Sequence, residues 1–461
     1  MQDLKHLSQK KTAAGLGLFG KSSRNRRLKS AGESPHPRLQ IPAGKRLKQL
    51  KLALLFIAIV LAIVPLSIFA LRRAESAGAR VRVWIGSFTG ASPTAAEAAK
   101  SPVPVSPFET ASDLLTTTEI TGPKMSARTP EGSQHIYTIN GDLQRRVHDY
   151  LARNKVPYGV FVAIEPATGR ILGMTSYSSA DPAWAKRSAY GLYPMASLFK
   201  IITASAALES NKITPETVIE FRGNSYSENP RYWDISPRGK NNRMDVTYAM
   251  GKSINPVYGR LACDIAGKSS VMESISRFGF NQNLLPGTPA KPSLAAEPAS
   301  NNELRLMGAG LGDVKISPLH AAVIMSAIAN GGKMMAPCLI DSIIDGHGVE
   351  KELFSPRELR RLVTPETSAS LSRMLSSTVL TGTSRKAFHD RRGRLLVKVP
   401  IAAKTGSING TDPKGHYSWF AAFAPIQDPQ IALVALVINP DKWKVKASQV
   451  GEQALEEFFR K

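Results

Sequence analysis

The spacing of apolar positions divides the chain into stretches of different character. Residues 52–71, LALLFIAIVLAIVPLSIFAL, form an uncharged run of twenty, long enough at 1.5 Å per residue to cross the ~30 Å hydrocarbon core of a bilayer. The run predicts one transmembrane helix, with Pro65 as a kink that does not prevent a span. From Arg72 to residue 134, Ala, Ser, Thr and Pro predominate without a sustained apolar period, which predicts a linker. Only short pieces of it, such as 114–120, have enough apolar content to pack on a domain. A helical period then begins in GDLQRRVHDYLARN, where Leu143, Val147 and Leu151 recur at i, i+4 and i+8. Two β-prone runs, 159–164 and 170–176, are joined by the turn residues Glu165-Pro166-Ala167-Thr168-Gly169 and predict an antiparallel hairpin. A long, mostly helical middle follows. Three further strands are predicted at 395–407, 417–423 and 431–438, and a closing helix carries Val450, Ala454, Leu455 and Phe458 on one face.

This order of elements implies an α/β (α+β) fold. An antiparallel sheet is assembled from N- and C-terminal strands, helices cover both faces, and the helical middle is an insertion. An active site is expected where the insertion meets the sheet. Charge adds an orientation to this plan. The formal net charge is +24, and residues 1–51 hold thirteen Lys/Arg against only Asp3 and Glu33. Such a tail suits the anionic headgroups of a lipid bilayer beside a span, and it is not read as a nucleic-acid arm. Lys45, Arg46, Lys48 and Lys51 outweigh Arg72 and Arg73 across the span, so the N-terminus is expected in the cytoplasm and everything after residue 73 outside it. Cleavage near Ala77-Gly78-Ala79 is the rival reading; the apolar run is longer than the 7–15 residues usual in a signal peptide. The expected organisation is a basic cytoplasmic tail (1–51), a transmembrane helix (52–71), a linker (72–134) and one folded domain (135–461). Cys263 and Cys338 lack the paired spacings of zinc or redox sites and the eight histidines form no His-x-x-x-His pair, so no metal and no cofactor is predicted. The two thiols are open to a disulfide or to two free cysteines.

Three short motifs carry candidate chemistry. Ser197-Leu198-Phe199-Lys200 heads the apolar run IITASAALES, which places Ser197 near the N-terminus of a buried helix. On a helix Lys200 lies one turn from Ser197, and a neutral lysine there can take the hydroxyl proton. A Ser-x-x-Lys alone says little, since Ser8-Gln9-Lys10-Lys11 in the polar tail also fits. Ser253-Ile254-Asn255 is the second motif, with decoys at Ser23, Ser227, Ser300 and Ser407 that share its Ser-x-Asn spacing. The third, Lys404-Thr405-Gly406-Ser407, occurs once and lies on a predicted strand, where its glycine permits close approach of another backbone.

Taken in this order and on these elements, the motifs resemble the penicillin-binding protein and serine β-lactamase superfamily over roughly residues 138–461, and GDLQRRVHDYL, VAIEPATGRILGM, ALESNKITPET and ISPLHAAVIMSAIANGG resemble the surrounding family segments. The resemblance implies a periplasmic serine D,D-transpeptidase, anchored in the inner membrane, that acts on peptidoglycan stem peptides ending in D-Ala-D-Ala and is acylated by β-lactam antibiotics. It implies Ser197 as nucleophile, Lys200 as base, Ser253 as proton relay, Asn255 as a substrate-amide contact and Lys404 as a source of positive potential. Thr405, Gly406 and Ser407 would line the substrate site, with the two hydroxyls on the terminal carboxylate, and the backbone N–H groups of Ser197 and Ser407 would form the oxyanion hole. Trp419 is a further substrate-binding candidate, with His416 beside it. Residues 74–134 are too few for a glycosyltransferase domain, so a monofunctional enzyme cooperating with a separate glycosyltransferase is expected. A D,D-carboxypeptidase, a β-lactamase and a non-catalytic β-lactam sensor or scaffold are the alternatives. The β-lactamase reading turns on Glu297-Pro298-Ala299-Ser300-Asn301, whose spacing matches a deacylating loop; the expectation is an ordinary solvated carboxylate at Glu297.

Overall fold

The structure is a computed structural model that describes residues 106–115, 124–352, 354–441 and 444–460. The chain divides into two compact units, Met1–Ser101 and Pro102–Lys461, and all described residues belong to the second. The expected span at 52–71 lies outside the described residues; among those described, no helix is long and apolar enough to cross a membrane.

In chain order the elements that shape the site are helix α1 (Pro107–Leu115), strands β1 (Lys124–Arg128) and β2 (Gln134–Asn140), helix α2 (Gly141–Arg153) and the hairpin β3 (Tyr158–Ile164) and β4 (Ile171–Tyr177). The insertion contributes α3 (Lys200–Glu209), α4 (Val246–Lys252), α5 (Asn255–Arg260), α6 (Lys268–Arg277), α7 (Asn301–Ala309), α8 (Pro318–Ala329), β5 (Ile340–Ile344), β6 (Glu350–Glu352) and α9 (Pro365–Leu380). Strands β7 (Ala402–Thr411), β8 (Lys414–Ala424) and β9 (Ile431–Asn439) and helix α10 (Ala447–Phe458) close the chain.

The main sheet has five antiparallel strands in the order β7-β8-β9-β3-β4. It joins both ends of the domain, as the order of elements predicts. Every residue of β9 is buried, which explains its unbroken apolar sequence: a strand covered on both faces has no polar alternation to show. Successive side chains supply two cores. Val160, Val162, Trp419, Ala421, Val434 and Leu436 pack toward the insertion helices, whereas Phe161, Ala163, Phe420, Ala422, Leu433 and Ala435 pack with Leu143, Val147 and Leu151 of α2 and with Val450, Ala454 and Leu455 of α10. Phe458 is only half-buried at the edge of that second cluster.

Two expectations change. The linker expected through residue 134 ends earlier, because α1 buries Ala111 and Ser112 and Tyr137 Oη donates to the carbonyl of Ala111 at 2.8 Å. Strand β1 then enters a second sheet of order β1-β2-β5-β6, which draws its strands from both sides of the insertion. The strand expected from residue 395 begins only at Ala402. Pro400 has no N–H to give a ladder, its carbonyl accepts from Ile426 N at 3.1 Å, and Leu395 and Leu396 are exposed. Cys263 and Cys338 are both free thiols.

Candidate active site

Ser197 lies in a single 3₁₀ turn, Ala196–Phe199, that runs directly into α3. Ala196 adopts φ +53°, a left-handed conformation that turns the chain abruptly out of the preceding extended segment. The side chains of Leu198 and Phe199 are buried, whereas Ser197 remains partly open. Helix α3 is buried along Lys200–Leu208, so Lys200 stands inside the protein and not on a wetted helix face.

The i, i+3 relation brings Lys200 Nζ to 2.8 Å from Ser197 Oγ. The same nitrogen lies 2.9 Å from Asn255 Oδ1 and 2.5 Å from the carbonyl of Ala309. Complete burial, reinforced by the nearby charge of Lys404, pushes the Lys200 amine well below the usual lysine range. A neutral amine has two N–H donors and one lone pair. Asn255 Oδ1 and Ala309 O can accept only from the donors, so the lone pair is left for Ser197, whose hydroxyl then donates to it. The arrangement can take a proton from serine without any movement of the lysine.

Asn255 opens α5 and is held from the other side. Its backbone N–H donates to Ser225 O at 3.0 Å, and its amide Nδ2 donates to the carbonyls of Tyr226 and Ser227 at 3.4 Å. Ser253 terminates α4 in a left-handed conformation, φ +59°, which turns its hydroxyl toward the sheet. Lys404 Nζ donates to that hydroxyl at 2.9 Å and to Thr405 O at 2.8 Å. Burial lowers the Lys404 amine to about 7. The charge of Lys404 is itself a second cause of the lowering at Lys200, whereas burial is the cause at Lys404.

Gly406 explains how the strand reaches the serine. A Cβ at this position would stand 3.2 Å from both Ala196 Cβ and Trp419 Cβ, so any side chain would press the edge strand away from the Ser197 turn. Ser407 is exposed beyond it, at the end of the groove. Thr405 is only partly buried, and its hydroxyl lies 2.6 Å from that of Thr383.

Trp419 is a correction. It pairs with Gly406 across the sheet but is fully buried, and its indole N–H donates to Pro194 O at 2.9 Å. It supports the backbone before Ser197 and presents no surface to a substrate. His416 lies further along β8, with Nδ1 2.5 Å from Asn409 Oδ1. Glu297 lies outside the lysine network. Its side chain is 67% exposed and pairs with Lys268 at 2.7 Å, which holds its carboxyl below the usual carboxylate range.

Three contributors were not assigned from the sequence. Thr383, on the turn after α9, has no sequence signal that links it to Thr405. Ala309 accepts from Lys200, and Gly310, at φ +80°, passes so close to the nucleophile turn that an added Cβ would stand 2.3 Å from Ala196 O and 2.8 Å from Ser197 Cα. The alternating glycines of GAGLG were the available signal for those two.

Residues 159–460 match the family model described as the penicillin binding protein transpeptidase domain. A peptidoglycan D,D-transpeptidase PbpA of Mycobacterium tuberculosis is 30% identical over 353 residues, covering 68% of this chain and 69% of its own. Its namesake in Mycolicibacterium smegmatis is 27% identical over 350 residues, 68% of either chain. Among solved structures, the ceftriaxone acyl-enzyme complex of penicillin-binding protein A from M. tuberculosis aligns with a TM-score of 0.58 at 26% identity, over 72% of this chain and 81% of that one. A domain-length family match and a site that joins all three motifs agree, and the chain belongs to the penicillin-binding protein transpeptidase family.

Proposed function

We propose that this protein is a serine D,D-transpeptidase that cross-links peptidoglycan stem peptides through an acyl ester on Ser197. The observation that carries the reading is the buried Lys200 amine, with two carbonyl oxygens placed for its N–H groups and its remaining side 2.8 Å from Ser197 Oγ. Lys200 removes the hydroxyl proton as Oγ attacks the carbonyl of the penultimate D-alanine. The N–H groups of Ser197 and Ser407 receive the developing oxyanion. The C–N bond to the terminal D-alanine breaks, and Ser253, bridged to Lys404, passes a proton to the departing amine. The amine of a second stem then attacks the ester and returns the proton to Ser197. Lys404 and the hydroxyls of Thr405 and Ser407 hold the terminal carboxylate, while Asn255 orients Lys200 and a substrate amide.

A β-lactam acylates the same serine, but its leaving group stays tethered and the ester persists. The position of Glu297 favours that outcome over hydrolysis, because a solvated carboxylate paired with Lys268 is not placed to activate water at the ester. The enzyme is proposed to sit on the outer side of the cytoplasmic membrane, held in the lipid bilayer by residues 52–71, and to act on strands made by a separate glycosyltransferase.

The test is covalent labelling with a fluorescent penicillin. Ser197→Ala is expected to lose all labelling while melting as cooperatively as the parent, since removal of one partly open hydroxyl costs little stability. Labelling that survives this substitution would overturn the assignment.

A further inference from the structure

We propose that the basic hairpin between α9 and β7, residues 385–398, docks on the anionic headgroups of the lipid bilayer, with Leu395 and Leu396 entering the boundary between headgroups and acyl chains. The inference rests on the membrane anchor proposed above.

The segment RKAFHDRRGRLLVK holds six Lys/Arg against one carboxylate, Asp390, and all six cations are exposed. The carboxylate is taken up within the hairpin. It accepts from the backbone N–H groups of Arg392 and Arg394 at 2.8 and 2.9 Å and from Arg394 Nε at 2.8 Å. Asp390 N donates to Arg394 O at 2.9 Å and Leu396 N to Phe388 O at 3.0 Å, so the two arms are paired. Phe388 and Val397 pin the base in the second core, where Phe388 stacks on Phe420 with ring centroids 5.5 Å apart. The fold therefore holds this charge in a fixed arrangement. Among the described residues Arg385, Lys386, Arg391, Arg392 and Lys398 have no ion-pair partner.

Unpaired cations on one rigid hairpin repel one another, and an anionic surface relieves that repulsion. The neighbouring residues say which kind of surface. Leu395 and Leu396 are 40% and 46% exposed and lie between Arg394 and Lys398 in the chain. A headgroup layer receives both kinds of group at once, since the cations meet phosphates while the leucines leave water. A polyanion dissolved in water receives the cations alone. Each cation beside an anionic leaflet favours contact by about fivefold, and an anchor in the same bilayer keeps the hairpin within reach. Position in the fold agrees. The hairpin leads into β7 at Ala402, and Ala402, Phe423, Ile431, Ile164 and Ile171 share one end of the main sheet. The second sheet attaches at that end, where Ile171 N donates to Cys338 O at 2.8 Å and Cys338 N to Gly169 O at 2.9 Å, just before β5. The chain enters this second sheet from its N-terminal side, through β1. Ser407 and the open end of the groove lie toward the other end of β7, so a docked hairpin leaves them uncovered.

The test uses the full-length protein in lipid nanodiscs, in a Cys263→Ser/Cys338→Ser background. A bimane fluorophore is attached through Leu396→Cys or, at the opposite end of the sheet, through Lys414→Cys, and penicillin labelling counts the folded protein in each preparation. A doxyl-labelled lipid in the disc quenches a fluorophore that touches the bilayer. In discs of equal phosphatidylglycerol and phosphatidylcholine at about 0.1 M salt, the site at 396 is expected to lose about half its fluorescence and the site at 414 less than about a tenth. At about 1 M salt, where screening shortens to roughly 3 Å, in discs of phosphatidylcholine alone, or in Arg391→Glu/Arg392→Glu, quenching at 396 should fall at least about threefold. Equal quenching at the two sites, or quenching at 396 that ignores salt, headgroup charge and the double substitution, would overturn the inference and leave the anchor standing. A fluorophore at 396 that responds to soluble polyphosphate and not to lipid would also overturn it, in favour of an anionic wall polymer. Protein that does not stay with the discs would overturn the anchor and the inference together.

Discussion

Lys404 and Lys200 set function against stability at the level of single residues. Both are completely buried, and burial lowers Lys404 from the ordinary 10.5 to about 7. Since the unfolded chain holds this proton up to about pH 10.5, unfolding near neutral pH takes up protons and stability rises with pH through the window between the two values. The cost of burying the amine is thus largest below about pH 7 and fades toward 10.5. Lys404→Met, similar in volume and without charge, is expected to abolish penicillin labelling and yet to stabilise the fold by about 1–3 kcal/mol at pH 7, with the gain shrinking toward pH 10.5. Thermal melts across that pH range measure it; a loss of stability at pH 7 would show that the bonds to Ser253 and Thr405 outweigh desolvation. Legibility in the sequence divides at this scale as well. Ser197 and Lys200 could be paired from sequence because their contact is one helical turn. Thr383 and Thr405 could not, because only tertiary folding brings their hydroxyls together. Trp419 was misread because a strand buried on both faces gives no polar alternation to say which side chains reach solvent.

The same division holds for elements. The main sheet was legible because β3, β8 and β9 are largely apolar runs near turn residues, and β9 needed only its uninterrupted run; β7, AAKTGSINGT, is mixed in character, and its start was placed too early. The second sheet was not, since β2 pairs with β5 about 200 residues away, as in Ser342 against Ile136, and short strands of mixed character carry no sign of so distant a partner. The loop from α7 shows how an element positions chemistry without a reactive group of its own. It places the Ala309 carbonyl on Lys200, and it can pass the Ser197 turn only because Gly310 lacks a Cβ and adopts φ +80°. Gly310→Ala therefore meets both a backbone clash and an unfavourable conformation. It is expected to slow penicillin acylation at least tenfold and to cost about 1–3 kcal/mol of stability. Stopped-flow acylation and a denaturant titration separate the two effects; an unchanged acylation rate would show that the loop does not hold the nucleophile turn in place.

At the scale of the whole molecule, the substrate dictates where the domain must work. Glycan strands lie outside the cytoplasmic membrane, whereas nearly half of the chain's formal net charge of +24 is in residues 1–51, whose thirteen cations face two carboxylates. The proposed anchor reconciles these demands: the uncharged run at 52–71 would cross the bilayer with its basic side inward, the orientation favoured by Lys45, Arg46, Lys48 and Lys51. From the end of that run to the first described residue, Ser106, there are thirty-five residues, which at full extension reach no more than about 120 Å. The groove would then sample a layer of cell wall next to the membrane instead of diffusing freely. The orientation can be tested directly with a reporter that matures only outside the cytoplasm. Fused after residue 80, it is expected to be active; fused before residue 45, it is expected to be silent. Activity at both positions would reverse the assignment of the tail, and release of a soluble protein beginning near Arg80 would replace the anchor with a cleaved leader. Retention in the membrane fraction, with activity only at the later fusion point, would put Ser197 on the side where its proposed substrate is found.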